Sequence, residues 1–353
     1  MLDHCLYRLP LALFLLVSIV VPVTAKDDST AVAALEKLGA KVKIDKAGSI
    51  IEVNFRDVDV ANADLNHLSG LPKVRSVLLT ERGIDDHGLE ILGRVTTLQN
   101  LDLRDCPVSN RGLAHLTSLK KLRGLKLSGK TGVTTVDDDG LVHLSGLADL
   151  KALALDYLWV SEDGLAHLRD CQRIEELYLA STLVSDEGMK LLQQFPRLKK
   201  LRISKSQITD AGLAHLAQLD TLEDLDLSET SQITDSGMAS LADMRTLQRL
   251  NLWRVALSDK GARHLAGLTN LTWLNLDNTV ITDKALAHLA AMKQLSFLHL
   301  GSTQMTDAGL AHLESLTGLK DLKVTRTAVT EDGVARLQTK LPETAIQLRH
   351  LGK

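Results

Sequence analysis

Two columns of side chains in this sequence could do chemistry, and each recurs at a fixed place in a repeating unit. Eight of the twelve histidines (His67, His115, His143, His167, His215, His264, His288 and His312) stand in one local setting, each followed by leucine. A row of imidazoles suggests zinc, which takes nitrogen ligands at about 2.0–2.1 Å from one centre. Residues repeating along parallel helices cannot converge in that way, because packed helix axes lie about 8–10 Å apart. The row is therefore expected to be a helix position packed between neighbouring units. A second column is acidic: Asp186, Asp210, Asp235, Asp259, Asp283 and Asp307 each follow Ser or Thr and precede an apolar helical pattern. Carboxylates there are expected to cap helix N-termini and favour their positive ends.

Other candidates are weaker. Asp137, Asp138 and Asp139 lack the alternating spacing of a calcium loop. Cys106 and Cys171 fall in different units and at opposite strand ends, so they are expected to be small buried fillers and not a disulfide. No nucleophile–base pair, phosphate loop or metal-ligand spacing stands out. A non-catalytic protein without cofactor or metal is expected.

The aromatics carry more information because aromatic residues make up only 3% of the chain. Phe55 and Phe195 occupy inward positions. Tyr157, Trp159, Tyr178, Trp253, Trp273 and Phe297 fall on strands or just after them. Trp273 and Phe297 share one column in adjacent units, and Trp253 lies just past the preceding strand. With Arg249, Arg254, Asn251, Asn275, Asp277 and His299 they are expected to form a ligand-binding patch, to which Tyr178 is added. Clustered aromatics with arginine are the usual composition of a binding hot spot.

These columns rest on one unit, cleanest in Ile208–Leu227, ITDAGLAHLAQLDTLEDLDL. Its last leucine-like position recurs at Phe55, Leu79, Leu103, Leu127, Leu155, Leu179, Ile203, Leu227, Leu252, Leu276, Leu300, Val324 and Leu348. The steps are 24 residues, save one of 28 (Leu127 to Leu155) and one of 25 (Leu227 to Leu252). A fixed period in this range is the mark of a solenoid. Within a unit the hydrophobic pattern switches from alternation (Leu225, Leu227) to helical spacing (Leu213, Leu216). Thr209-Asp210 supplies helix-capping chemistry between them. Each unit is predicted to be strand, loop, short helix, loop, burying its leucines only against its neighbours.

The stretches LQNLDLRDCPVSNRGLAHL (Leu98–Leu116) and LSFLHLGSTQMTDAGLAHL (Leu295–Leu313) resemble leucine-rich repeats of the cysteine-containing, GALA-like kind. The resemblance spans roughly Phe55 to Leu348. It implies an α/β leucine-rich-repeat solenoid: a curved horseshoe with a parallel β-sheet on the concave face and short helices on the convex face. It also implies binding of a protein partner on that concave face, with a cell-wall glycan as an alternative. Similar repeats occur in F-box proteins, so a substrate adaptor of a ubiquitin ligase is a further alternative. The leader described next, and the short segment before the repeats, argue against that one.

Residues 1–25 read as a secretory signal: Arg8, the apolar run Leu9–Val23, and a small-residue cleavage site at Val23-Thr24-Ala25. The run is short for a membrane span of about 20 residues, so cleavage and export to the periplasm, cell surface or medium are expected, with an uncleaved anchor as the alternative. Residues 26–55 are expected to form an N-terminal cap of helix plus strand hairpin. Residues 56–348 are the solenoid of about twelve units, and 349–353 a tail. The net charge of −3 argues against general nucleic-acid or anionic-membrane binding.

Overall fold

The computed structural model describes residues 26–79 and 83–349; the expected leader lies outside them. Fourteen strands follow one another in chain order in a single sheet. They are β1 (Lys41–Ile44), β2 (Ile50–Asn54), β3 (Ser76–Leu78), β4 (Asn100–Asp102), β5 (Gly124–Ser128), β6 (Ala152–Asp156) and β7 (Glu176–Tyr178). The second half is β8 (Lys200–Arg202), β9 (Asp224–Asp226), β10 (Arg249–Asn251), β11 (Trp273–Asn275), β12 (Phe297–His299), β13 (Asp321–Lys323) and β14 (Ala345–Gln347). Only β1 pairs antiparallel; from β2 onward each strand pairs parallel to the next in register. Short helices alternate with the strands, the last being Glu331–Lys340. No helix among the described residues is long and apolar enough to cross a membrane.

The core is the leucine lattice. Leu225, Leu250, Leu274 and Leu298, the middle residues of adjacent strands, are fully buried, as are the helix leucines Leu213, Leu216 and Leu265. A single unit could not close around them; stacking makes one continuous core. The first unit is covered by a helix, α1 (Ser29–Leu38), and the β1–β2 hairpin. Asp28 is the N-cap of α1, accepting from Thr30 N–H, and Gly39 ends it at φ 78°. Cys106 and Cys171 are buried free thiols. Burial is the main force raising them, to about 12 and about 11.

The acidic column acts across units and is not the cap expected from its position. The cap is the preceding hydroxyl: Thr209, for example, accepts from Ala211 N–H. Each aspartate instead grips the hydroxyl residue of the next unit. Asp186 accepts from Thr209 N–H (2.8 Å) and Thr209 Oγ1–H (2.6 Å), and Asp283 does the same with Thr306 (2.7 Å each). Asp86 and Asp138 extend this ladder toward the N-terminus. The ladder explains the glycine two residues after the aspartate. A Cβ at Gly212 would lie 2.4 Å from Asp186 Oδ1, and one at Gly309 2.3 Å from Asp283 Oδ1.

A second periodic feature follows β4 and β6–β13. Nine non-glycine residues from Asp105 to Arg326, among them Tyr157, Arg254 and Ser302, are left-handed, with φ of 52–62°. L-residues pay about 1–2 kcal/mol there. The turn aims their N–H at the next unit: Lys205 to Ser228 O (2.9 Å), Ser302 to Thr325 O (2.8 Å). The backbone ladder thus continues past the ends of β6–β12.

Candidate binding surface

A strand residue between two buried leucines must face the open side of the sheet. Pairing aligns those residues into columns. One runs Asp224, Arg249, Trp273, Phe297, Asp321; the other runs Asp226, Asn251, Asn275, His299, Lys323. A third lies just past the strands, with Trp253 and Asp277. The expected patch is therefore assembled on β10–β12.

Its rings meet in a way that register alone does not reveal. Trp273 and Phe297 stack with centroids 4.9 Å apart and planes 5° from parallel. Arg249 covers the outer Trp273 face at 4.4 Å, and Lys323 lies 5.3 Å from the Phe297 centroid. The four side chains form one continuous cation–aromatic–aromatic–cation stack across four strands. Arg254 covers Trp253 at 5.5 Å. The ring faces are occupied, and the edges are what this stack presents to a ligand. Arg249 and Arg254 also have partners of their own: Arg249 pairs with Asp224 (3.4 Å) and Arg254 with Glu229 (3.0 Å).

Tyr178 stands apart, on β7, four strands from β11 and so about 19 Å away at about 4.8 Å per strand. It has its own setting, donating from its hydroxyl to Glu176 (2.6 Å) beneath Arg202 and Lys200. Burial, then this hydrogen bond, raises its pKa.

The charged units between are a ladder: Lys199–Glu223 (3.0 Å), Lys200–Asp224 (3.4 Å) and Lys205–Glu229 (3.3 Å). Exposed pairs of this kind contribute about 0–1 kcal/mol each. Arg202 breaks the pattern by reaching back two strands to Asp156, and Arg56 reaches forward two strands to Asp102. Asp102 is almost fully buried. Burial is the largest single influence on it and acts upward, but the hydrogen bonds and charge of Arg104, with the charge of Arg56, together hold its carboxyl below the usual value.

Sequence reasoning missed two features. A groove of about 650 Å³ runs along the strand-entry rim, lined by Thr221, Thr246, Gln248, Asn270, Thr272 and Gln294 among others. Its signal was the polar, uncharged residues preceding successive strands. The second is an exposed apolar pair at the opposite strand ends: Trp159, 74% exposed, and Leu183, 52% exposed, hold the same position in adjacent units. The histidine row lies on the convex side, partly or fully exposed. Among the described residues no three His, Cys, Asp or Glu side chains cluster as a metal site.

A family model described as Leucine Rich repeat matches residues 96–116 and 219–242. An internalin, InlF of Listeria monocytogenes, superposes with a TM-score of 0.60 at 19% identity, over 93% of this chain and 96% of its own. This is a leucine-rich-repeat solenoid. Internalin C2 of the same organism (TM-score 0.46, 24% identity, 60% of this chain and 84% of its own) and a leucine-rich-repeat protein of Leptospira interrogans (0.49, 16%, 80% of each) match less closely than InlF. No curated protein matches the chain in sequence. In a leucine-rich-repeat solenoid the open sheet face is a broad, preformed surface whose side chains vary while the leucine lattice stays fixed. Here that variation concentrates the rings on β10–β12.

Proposed function

We propose that this protein is a non-catalytic recognition scaffold, exported from the cell, that binds a protein partner on the C-terminal half of its concave face. The observation that carries the reading is the Arg249–Trp273–Phe297–Lys323 stack. It holds two large rings, each partly exposed, between neighbours on both sides, so little side-chain entropy remains to be lost on binding. The covered ring faces weigh against a glycan, which would need an open face to lie on. Ring edges flanked by fixed cations and by Asn251 and Asn275 suit the mixed apolar and amide surface of a protein.

The test is capture from the native cell envelope by the mature protein and by Trp273→Ala and Phe297→Ala variants of matched circular dichroism and melting. Trp159→Ala serves as control, since Trp159 is the most exposed ring and lies off the patch. A partner held by the unaltered protein and by the control, but lost from both patch variants, is the expected result. Equal capture by all four proteins would sink the proposal.

A further inference from the structure

The strand-entry rim changes character part-way along the molecule. Two positions just before each strand contribute to it, such as Thr246 and Gln248 before β10. Before β3 to β8 they run from Lys73 and Arg75 to Arg197 and Lys199, and all are charged except Thr97 and Gln99. Before β9 to β12 they are Thr221 and Glu223, Thr246 and Gln248, Asn270 and Thr272, Gln294 and Ser296, and only Glu223 is charged. The groove of about 650 Å³ lies along this uncharged stretch, and the charges among its lining residues cancel. Lys199 and Glu223 hold each other at 3.0 Å, while Asp220 and Arg245 are of opposite sign.

Part of the groove's hydrogen-bonding capacity is used inside its wall. Gln294 donates one Nε2–H to Asn270 Oδ1 (3.3 Å), Asn270 donates one Nδ2–H to Arg245 O (2.7 Å), and Thr272 donates its hydroxyl to Gln248 O (3.1 Å). What remains is an even mixture of donors and acceptors. Each of those two amides keeps a second N–H, Gln294 keeps its carbonyl oxygen, and the Thr272 oxygen can still accept. Among the described residues, the Gln248 amide and the Thr246 hydroxyl make no hydrogen bond at all.

We propose that this groove binds a neutral, linear, β-linked glycan laid across the strands, one pyranose ring to each repeat. A sugar hydroxyl both donates and accepts, as a serine hydroxyl does, so a ring bearing several of them meets a wall of mixed donors and acceptors. A charged ligand would find no unbalanced charge to pair with. The repeat also matches. Equivalent positions on adjacent strands are ~4.8 Å apart, and each pyranose ring of a linear β-linked chain advances by about one such spacing. An extended peptide advances ~3.3 Å per residue and falls out of phase. The lining runs from Lys199 to Gln294, over five units, so its four steps span ~19 Å. Its volume is in the ordinary range for a small-ligand site. The aromatic stack offers a sugar no open ring face; the rim holds one by hydrogen bonds instead, which keeps the affinity low.

The probes are cellotetraose and chitotetraose, titrated while the side-chain amide signals of Gln248, Asn270 and Gln294 are followed by NMR, assigned from single alanine variants. The expected result is a saturable shift of these signals with at least one tetraose, half-complete at a concentration on the order of 1 mM. The matching monosaccharide should bind at least tenfold more weakly. Gln248 and Gln294 are exposed, so changing either to alanine leaves the core intact. Each change should weaken binding about 2- to 10-fold, the loss of one net hydrogen bond. Gln99→Ala, on the rim before β4, should leave binding unchanged. No saturable shift with either tetraose, an equal response to the monosaccharide, or undiminished binding in both Gln248→Ala and Gln294→Ala would each overturn the glycan groove. So would equal binding of acetyl-tetraglycine amide, which would mark a peptide groove. Trp273 and Phe297 do not line the groove, so the capture experiment on the concave face is decided separately.

Discussion

The aspartate ladder makes a quantitative prediction about the glycine opposite it. Gly212→Ala places a methyl 2.4 Å from Asp186 Oδ1, where an oxygen against carbon rests at about 3.3 Å. The carboxylate must retreat by about 0.9 Å, which takes its 2.8 Å bond from Thr209 N–H out of range. Losing a hydrogen bond to a charged group costs about 1.5–3 kcal/mol, and alanine in the helix offsets about 1 kcal/mol of that. The net cost is ~0.5–2 kcal/mol. Asp186→Ala alone removes both bonds and should cost about 2–3 kcal/mol, discounted for partial exposure. In the Asp186→Ala background the added methyl meets no carboxylate. Gly212→Ala then becomes neutral or stabilising by up to about 1 kcal/mol, the helix-propensity gain, limited by Ile208 Cβ at 3.2 Å. Urea-unfolding midpoints at constant slope, backed by hydrogen exchange at the Thr209 amide, would give the coupling energy. Additivity of the two substitutions within about 0.5 kcal/mol would refute the reasoning. The molecule holds its own comparison: Ala285 stands at the glycine position of its unit, and Asp259 still bonds Thr282 N–H and Oγ1–H at 2.7 Å. A unit can absorb the methyl by a local shift, which places the expected cost nearer 1 than 2 kcal/mol.

Further predictions follow from other features. A double-mutant cycle on Trp273 and Phe297, each to alanine, should give a coupling of about 0.5–1.5 kcal/mol in thermal or urea unfolding; zero coupling would mean the stack is incidental. Asp102 is ionised well into acid in the folded state, so its contribution is present above the unfolded carboxyl pKa of about 3.9 and is lost as pH falls through the lowered folded value. Asp102→Asn should be less stable than the unaltered protein at pH 7, with the gap narrowing below pH ~4; a constant gap would contradict this. Cys106 and Cys171, buried and raised to about 12 and about 11, should resist a thiol reagent at pH 8 until the protein unfolds, and rapid native labelling would be inconsistent with their burial. Ser302, at φ 52°, should tolerate glycine with a change under ~1 kcal/mol, while Ser302→Val should cost about 1–2 kcal/mol in the same melting assay.

The solenoid was legible because its period is stated many times over. Leu225 and Leu250 differ by one repeat, and so do the strands that carry them. The pairing of Trp273 with Phe297 came from the same arithmetic. The fate of their ring faces did not, since that depends on where Arg249 and Lys323 fold over them. The aspartate ladder was misread for a physical reason. From Ser185 to Asp307 successive units carry the same hydroxyl-Asp pair, so a bond within a unit and a bond to the next unit leave identical traces in the sequence. Tyr178 was grouped with the patch on composition, though its unit number already placed it four strands away.

The two ion pairs that skip a strand, Arg56 to Asp102 and Arg202 to Asp156, have a mechanical consequence. A curved sheet opens or closes by changing the distance between strands two apart on its inner face. These pairs act there as tie rods, at β2–β4 and β6–β8. Over β9–β13 the described side-chain ties join only adjacent strands. The horseshoe therefore has a stiff arm and a compliant one, and the compliant arm carries the aromatic stack.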